Sequence, residues 1–264
     1  MNNTIVPITS KLLTEKKIVH GFFTKNGNIY KNYNLNFNCS LKNNKFKNKI
    51  LSKRKMVTNF HNLEIKNLKT INQIHSNKVI IIKNYNQETH TVNADALITN
   101  LPNIILGIFT ADCAPVLAYD EKQRIIAAIH IGWKGAYKNI IKNTINEMKN
   151  LGSNVENLML AIGPCIGPKS YEVGDEFFDY FINKNNKYKI HFKKFNKNKY
   201  FFDLPNFIYN KAIKYGIRKN NIWVSKEDTY LNKKFFFSYR RNIKNNEPDI
   251  GRMINTISLN QNNV

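Results

Sequence analysis

Residues 103–120 read "NIILGIFTADCAPVLAYD", two apolar runs of strand length with an acid and a thiol, Asp112 and Cys113, set between them. Short apolar runs rich in β-branched and aromatic side chains are what strands buried on both faces look like. Just downstream, "RIIAAIHIGW" (124–133) is a third such run. The period then changes: Ile140, Ile141, Ile145, Met148 and Leu151 recur at helical spacing, and Gly152 sits where a C-terminal cap belongs. Further out, "KVIIIKNY" (78–85), "ADALITN" (94–100), "NLMLAIGPCIG" (157–167) and "NIWVS" (221–225) read as strands. "VGDEFFDYFI" (173–182) and "LPNFIYNKAIKYG" (204–216) read as helices, the second with Pro205 in its first turn, where the missing N–H costs nothing. Strand and helix alternate without repeat or linker, so an α/β fold is expected, with residues 1–264 forming one domain.

Composition limits the function classes. Of 264 residues, 42% are hydrophobic and 12% aromatic, which excludes a disordered chain despite a net charge of +23. That charge raises the question of nucleic acid, because clustered basic residues release counterions from phosphate. Only six of the 41 basic residues are Arg, however, and the Lys are scattered among Asn and Ile. No nucleic-acid partner is expected. The densest Lys/Asn stretches, "NKFKNKILSKRKM" (44–56) and "NKNNKYKIHFKKFNKNKY" (183–200), read as a solvated helix face and a surface loop. Three cysteines make no disulfide framework and suit a reducing compartment. The first residues lack the apolar core of a secretory signal, and no stretch approaches the roughly 18 apolar residues of a membrane span. A cytoplasmic protein without a membrane partner is expected.

His75 in "NQIHSNKV", Cys113 in "TADCAPV" and His130 in "AAIHIGWKG" are the residue types that bind borderline metals. They lie too far apart for one helix or hairpin, so only neighbouring strands would unite them. Taken singly, a Cys in an apolar strand commonly packs as a small hydrophobe, and a His among Ile residues as a core imidazole. Core residue, nucleophile and metal ligand therefore all stay open for Cys113. Their neighbours point towards a site. Two glycines flank Trp133 and Lys134, allowing close backbone approach and offering a cation to an anion, and an aspartate in an apolar run needs a partner. Arginine, used so sparingly, is the side chain whose planar fork Lys cannot replace.

The motifs "NQIHS", "ADALIT", "TADCAPVLAYD", "AAIHIGWKG", "AIGPCIGPKSYEVG" and "FFFSYRRN…DIGRM" occur in the order and approximate spacing of the YfiH-like family. That family is also called laccase-domain proteins, polyphenol oxidases or purine nucleoside phosphorylases. The chain resembles it from "GFFTKNGNIYKNYNLNFN" (21–38) to "GRM" (251–253). The resemblance implies a single α/β domain with central β-sheets flanked by helices, and a zinc held by His75, Cys113 and His130. Three protein ligands leave a fourth position open, as in catalytic zinc sites. It further implies phosphorolysis of adenosine, inosine and methylthioadenosine, deamination of adenosine, and a monomer, with purine nucleosides and phosphate as the small-molecule partners.

Arg54 in "KRKM" matches the family's Asn-Arg helix position and is assigned the anion; Arg240 and Arg252 are weaker candidates for it. Asp112 is expected to orient a ligand or base, and Gln73, Lys134 and Tyr171 to contact substrate. The chain departs from the family at Lys25, where an Arg is usual, and at Asp228, where a Cys is usual. Other classes compete. A copper-dependent polyphenol oxidase of the multicopper kind needs many His, commonly in His-X-His pairs, against six His and no such pair; copper in the zinc site remains a route to phenol oxidation. A cysteine hydrolase or deamidase would use Cys113 as nucleophile and His130 or His75 as base.

Overall fold

A computed structural model describes residues 4–30, 36–41, 47–246 and 251–259. Parts of the quoted motifs, at 31–35, 44–46 and 249–250, lie outside the described residues. In chain order the strands are β1 (Val19–Phe22), β2 (Leu68–Lys69), β3 (Val79–Ile81), β4 (Ala96–Thr99), β5 (Ile105–Thr110), β6 (Ala114–Asp120), β7 (Ile125–Ile131), β8 (Leu158–Ile162), β9 (Glu172–Gly174), β10 (Phe192–Asn196), β11 (Lys199–Phe202), β12 (Ile222–Val224) and β13 (Met253–Ser258). The helices are α1 (Lys11–Thr14), α2 (Lys47–Phe60), α3 (Trp133–Tyr137), α4 (Ile140–Asn150), α5 (Asp175–Lys184), α6 (Leu204–Lys214) and α7 (Tyr239–Asn245). The fold is mixed α/β.

A six-stranded sheet, ordered β12-β8-β6-β7-β4-β3, forms the centre. Its inner strands β8, β6, β7 and β4 are buried along their whole length and mostly apolar because both faces are covered. Val116, Ala118, Ile129 and Ile131 pack beneath Ile140, Ile141 and Ile145 of α4 and Phe207 and Ile208 of α6. Leu117, Tyr119, Ile126 and Ala128 face Leu106, Ile108 and Ile257 of a four-stranded sheet ordered β1-β13-β5-β2. The α4 helix ends as its sequence dictates, with Gly152 just past the last turn at φ +104°, a conformation costly for any residue with a Cβ. Asp203 caps α6 by accepting from the Asn206 amide at 3.0 Å, with Pro205 in the first turn.

Residues 183–200 correct the expected surface loop. They form a 3-10 turn and the hairpin β10-β11, which with β9 makes a third sheet. The reason is aromatic: Phe192 and Phe202 stack at 4.8 Å and join Phe177, Phe181 and Phe207, a core masked in the sequence by the lysines between them.

The quoted Asp-Cys pair occupies the crossover from β5 in the four-stranded sheet to β6 in the six-stranded one. Because β6 and β7 are antiparallel with Pro115 opposite His130, the start of β6 and the end of β7 lie at one edge. The start of β4 is there too, with Ala96 opposite Ile129.

Candidate active site

His75, Cys113 and His130 come together at that edge, their donor atoms all within 4.8 Å of one another. His75 Nε2 lies 3.6 Å from Cys113 Sγ. A buried carboxylate organises them. Asp95, at the start of β4, accepts from His130 Nδ1 at 2.8 Å and from the His75 amide at 3.0 Å through Oδ1. Its Oδ2 accepts from the Ser76 amide at 2.5 Å and the Ser76 hydroxyl at 2.7 Å. One carboxylate thus fixes both the His130 ring and the loop that carries His75, whose φ of +58° needs such support. With Nδ1 committed to Asp95, His130 has Nε2 for the cluster.

Burial alone would raise the Asp95 carboxyl, but the His130 and Ser76 bonds outweigh it and bring it down to about 2. Burial likewise opposes charge on Cys113 and His130. Their mutual attraction wins, lowering the thiol and raising the imidazole, so the pair favours thiolate beside imidazolium.

The donor set fits a tetrahedral borderline metal. Bonds of ~2.3 Å to sulfur and ~2.0–2.1 Å to nitrogen place S and N ~3.5 Å apart, near the observed separation. Close approach is secured by Gly132. A Cβ there would lie 2.7 Å from His75 Cδ2 and 3.0 Å from Cys113 Sγ.

A cavity of about 680 Å³ opens over the cluster, within the ~300–1,000 Å³ range of ligand sites. Arg54, Gln73, Asp112, Lys134, Tyr171, Arg240 and Arg252 all line it alongside the three cluster residues. Their bonding separates them. The expectation that Asp112 orients a ligand is corrected: its oxygens accept from Thr229 Oγ1 at 2.7 Å, Ser238 Oγ at 2.9 Å and the Arg240 amide at 2.7 Å, and the carboxylate reaching the histidines is Asp95. At φ +81° Asp112 instead holds the crossover to the segment that carries Arg240.

Gln73 spends its side-chain amide on the Phe109 backbone, donating to the carbonyl and accepting from the N–H at 2.7 Å each. The side chain expected to contact substrate thus has both polar atoms engaged in tying the His75 loop to β5. Lys134 is exposed at the rim, its Nζ 5.5 Å from the Trp133 ring. Neither Lys25 nor Asp228 lines the cavity; Asp228 accepts from Ser170 Oγ at 2.6 Å. His90, Trp133 and Tyr239 line it without having been singled out. Asp95 was missed within "ADALIT", although it carries the signal that drew notice to Asp112, an acid beside an apolar run.

A family model described as multi-copper polyphenol oxidoreductase laccase matches residues 19–260. The chain belongs to this laccase-like, YfiH family. Among its relatives, a Rickettsia conorii protein named purine nucleoside phosphorylase is 36% identical over 234 residues, covering 84% of this chain and 93% of its own. An adenosine deaminase from an unknown prokaryote is 39% identical over 95 residues, 36% of either chain. The solved structure of Bacillus licheniformis YfiH superposes with a TM-score of 0.81 at 25% identity, covering 92% of this chain and 93% of that one. This laccase-like chain is an enzyme, and among the described residues its motifs bring together a metal-competent His-Cys-His set. Among the described residues no helix is long and apolar enough to cross a membrane.

Proposed function

We propose that this protein is a zinc-dependent purine nucleoside enzyme that phosphorolyses adenosine, inosine and methylthioadenosine to the free base and the (methylthio)ribose 1-phosphate, and also deaminates adenosine. The observation that carries the reading is the His75-Cys113-His130 triangle, open towards a cavity walled by guanidinium groups and aromatic rings. The names of the relatives support it.

His75, Cys113 and His130 would hold the metal, which when bound supplies Lewis-acid activation of an oxygen on water or phosphate. The chain's own residues do the rest. Asp95 fixes His130 through Nδ1, so that Nε2 stays turned to the cluster. Arg54 offers its fork to the attacking phosphate, its Nε anchored on the Cys39 carbonyl at 2.9 Å and its plane set by the Phe109 ring. The Trp133 and Tyr171 rings supply apolar wall for a purine, and Lys134 at the rim adds positive charge. Phosphorolysis breaks the bond from C1′ to the base as phosphate oxygen bonds to C1′. Deamination places water at C6 of adenine instead, releasing ammonia.

The test is purified protein with adenosine and phosphate, following inosine, adenine, hypoxanthine and ribose 1-phosphate. Wild type should form ribose 1-phosphate in an amount equal to adenine plus hypoxanthine, with inosine as the deamination product, and Cys113→Ala should lose at least 100-fold. Full activity in that variant would overturn the assignment.

One observation favours a second reading. The Asp95–His130–Cys113 chain is also the order of an acid, a base and an activated thiol, the arrangement of a cysteine hydrolase. Metal content decides between them. One equivalent of zinc, with Cys113 slow towards iodoacetamide until the metal is chelated, supports the zinc enzyme; metal-free protein alkylated at once supports the nucleophile.

A further inference from the structure

Two arginines in the cavity wall are built alike. Arg54, on α2, lays its guanidinium over the Phe109 ring, 5.1 Å from carbon to centroid, and donates Nε to the Cys39 carbonyl at 2.9 Å. Arg240, on α7, lays its guanidinium over the Tyr171 ring at 5.4 Å and donates Nη1 to the Glu172 carbonyl at 2.7 Å. Both are half-buried. Among the described residues neither has a carboxylate at ion-pair distance. Each is therefore a fixed fork with most of its N–H donors uncommitted and with its charge partly removed from water, an arrangement that gains most when a ligand brings the counter-charge.

The two forks stand on different supports. Phe109 belongs to β5 in the four-stranded sheet, whereas Glu172 opens β9 in the three-stranded one, and the His-Cys-His triangle lies at the crossover out of β5. With inorganic phosphate held at Arg54, as in the proposed function, the Arg240 fork still has most of its N–H donors to offer a second anion. An uncharged nucleoside does not fill it.

We infer that the Arg240 fork binds a phosphate carried by the substrate itself, so that the site takes a purine nucleoside monophosphate together with inorganic phosphate. The purine half of this inference rests on the proposed function; the second anion rests on the two forks alone.

The experiment measures equilibrium binding of adenosine 5′-monophosphate and of adenosine to the protein as isolated, with and without saturating sulfate. Sulfate fills an inorganic-phosphate site but supports no phosphorolysis. The monophosphate should bind about tenfold to a hundredfold more tightly than adenosine, the range expected for charge-assisted hydrogen bonds, and should keep that preference in sulfate. Arg240→Gln should abolish the preference, Arg240→Lys should restore part of it, and Arg54→Gln should instead weaken sulfate binding. Equal binding of the two ligands, a preference erased by sulfate, or one variant that removes both anions would overturn the inference. Turnover plays no part in these readouts. A protein that binds the monophosphate in this way but turns over no purine would sink the proposed reaction and leave the second anion site standing.

Discussion

At the residue scale, the site depends on one carboxylate and one missing Cβ. Asp95 accepts four hydrogen bonds at 3.0 Å or less, one from His130 and three from the His75–Ser76 segment. Asp95→Asn turns one acceptor oxygen into a donor facing other donors. Metal affinity should fall about 10–100-fold, as when the outer partner of a ligating histidine is removed, and stability by about 2–4 kcal/mol. Zinc competition against a chromophoric chelator reads the first and denaturant unfolding the second. Gly132 gives a cleaner separation. Its φ of −82° suits any residue, so Gly132→Ala adds no backbone strain, and its effect comes only from the methyl group pressing on His75 and Cys113. The variant should keep the wild-type fold by circular dichroism while losing at least tenfold in metal affinity. Unchanged affinity would mean that the cluster need not be this tight.

At the element scale, the neighbouring pair in "SYRRN" shows where sequence reading ran out. Successive helical residues point ~100° apart, so at the start of α7 Arg240 reaches the cavity while Arg241 turns back into the preceding loop. There Arg241 donates to the carbonyls of Thr229 at 2.9 Å, Tyr230 at 2.6 Å and Phe236 at 2.6 Å. Nothing in the sequence distinguishes the two side chains, because the helix phase is set by Ser238, which caps α7 by accepting from the Arg241 amide. Arg241→Gln should therefore lower stability by about 3 kcal/mol, a Tm lower by roughly 6–12 °C, whereas Arg240→Gln, which loses the single bond to the Glu172 carbonyl, should lower Tm by only about 2–4 °C. Calorimetry on the two variants checks this, and equal Tm losses would contradict the division of roles. The strands themselves were legible for the opposite reason. β5, β6, β7 and β8 are buried on both faces, so their largely apolar runs announce them, and the hairpin β10-β11 hid because its lysines meet solvent.

At the scale of the whole molecule, the histidines divide into those at the cavity and those sealed in the fold, a division that six scattered imidazoles in a sequence do not reveal. His61 is held between the Ser258 and Thr256 hydroxyls at 2.7 and 2.8 Å, and burial, with His20 nearby, pushes it down to about 3. Burial followed by the Lys211 charge pushes His191 down to about 4, and burial also lowers His20. All three are neutral in the folded chain at pH 7, so they contribute no penalty there. As pH falls through ~6.5, the unfolded chain takes up protons that the folded chain refuses, and stability is lost until pH reaches the folded-state values. His61 and His191 give a slope of up to about 2.7 kcal/mol per pH unit between roughly pH 6 and 4, at ~1.36 kcal/mol for each proton taken up, and His20 adds in the same direction. The net charge of +23 acts in the same direction, since every added proton increases self-repulsion, but that part is screened by salt and the buried imidazoles are screened much less. Denaturant unfolding at pH 7.5, 6 and 5 in high salt should therefore still show the steep loss. His61→Gln, which keeps a hydrogen-bonding side chain but cannot titrate, should reduce the slope by about a third to a half. A slope that vanishes in salt would assign the acid sensitivity to surface charge and not to these histidines.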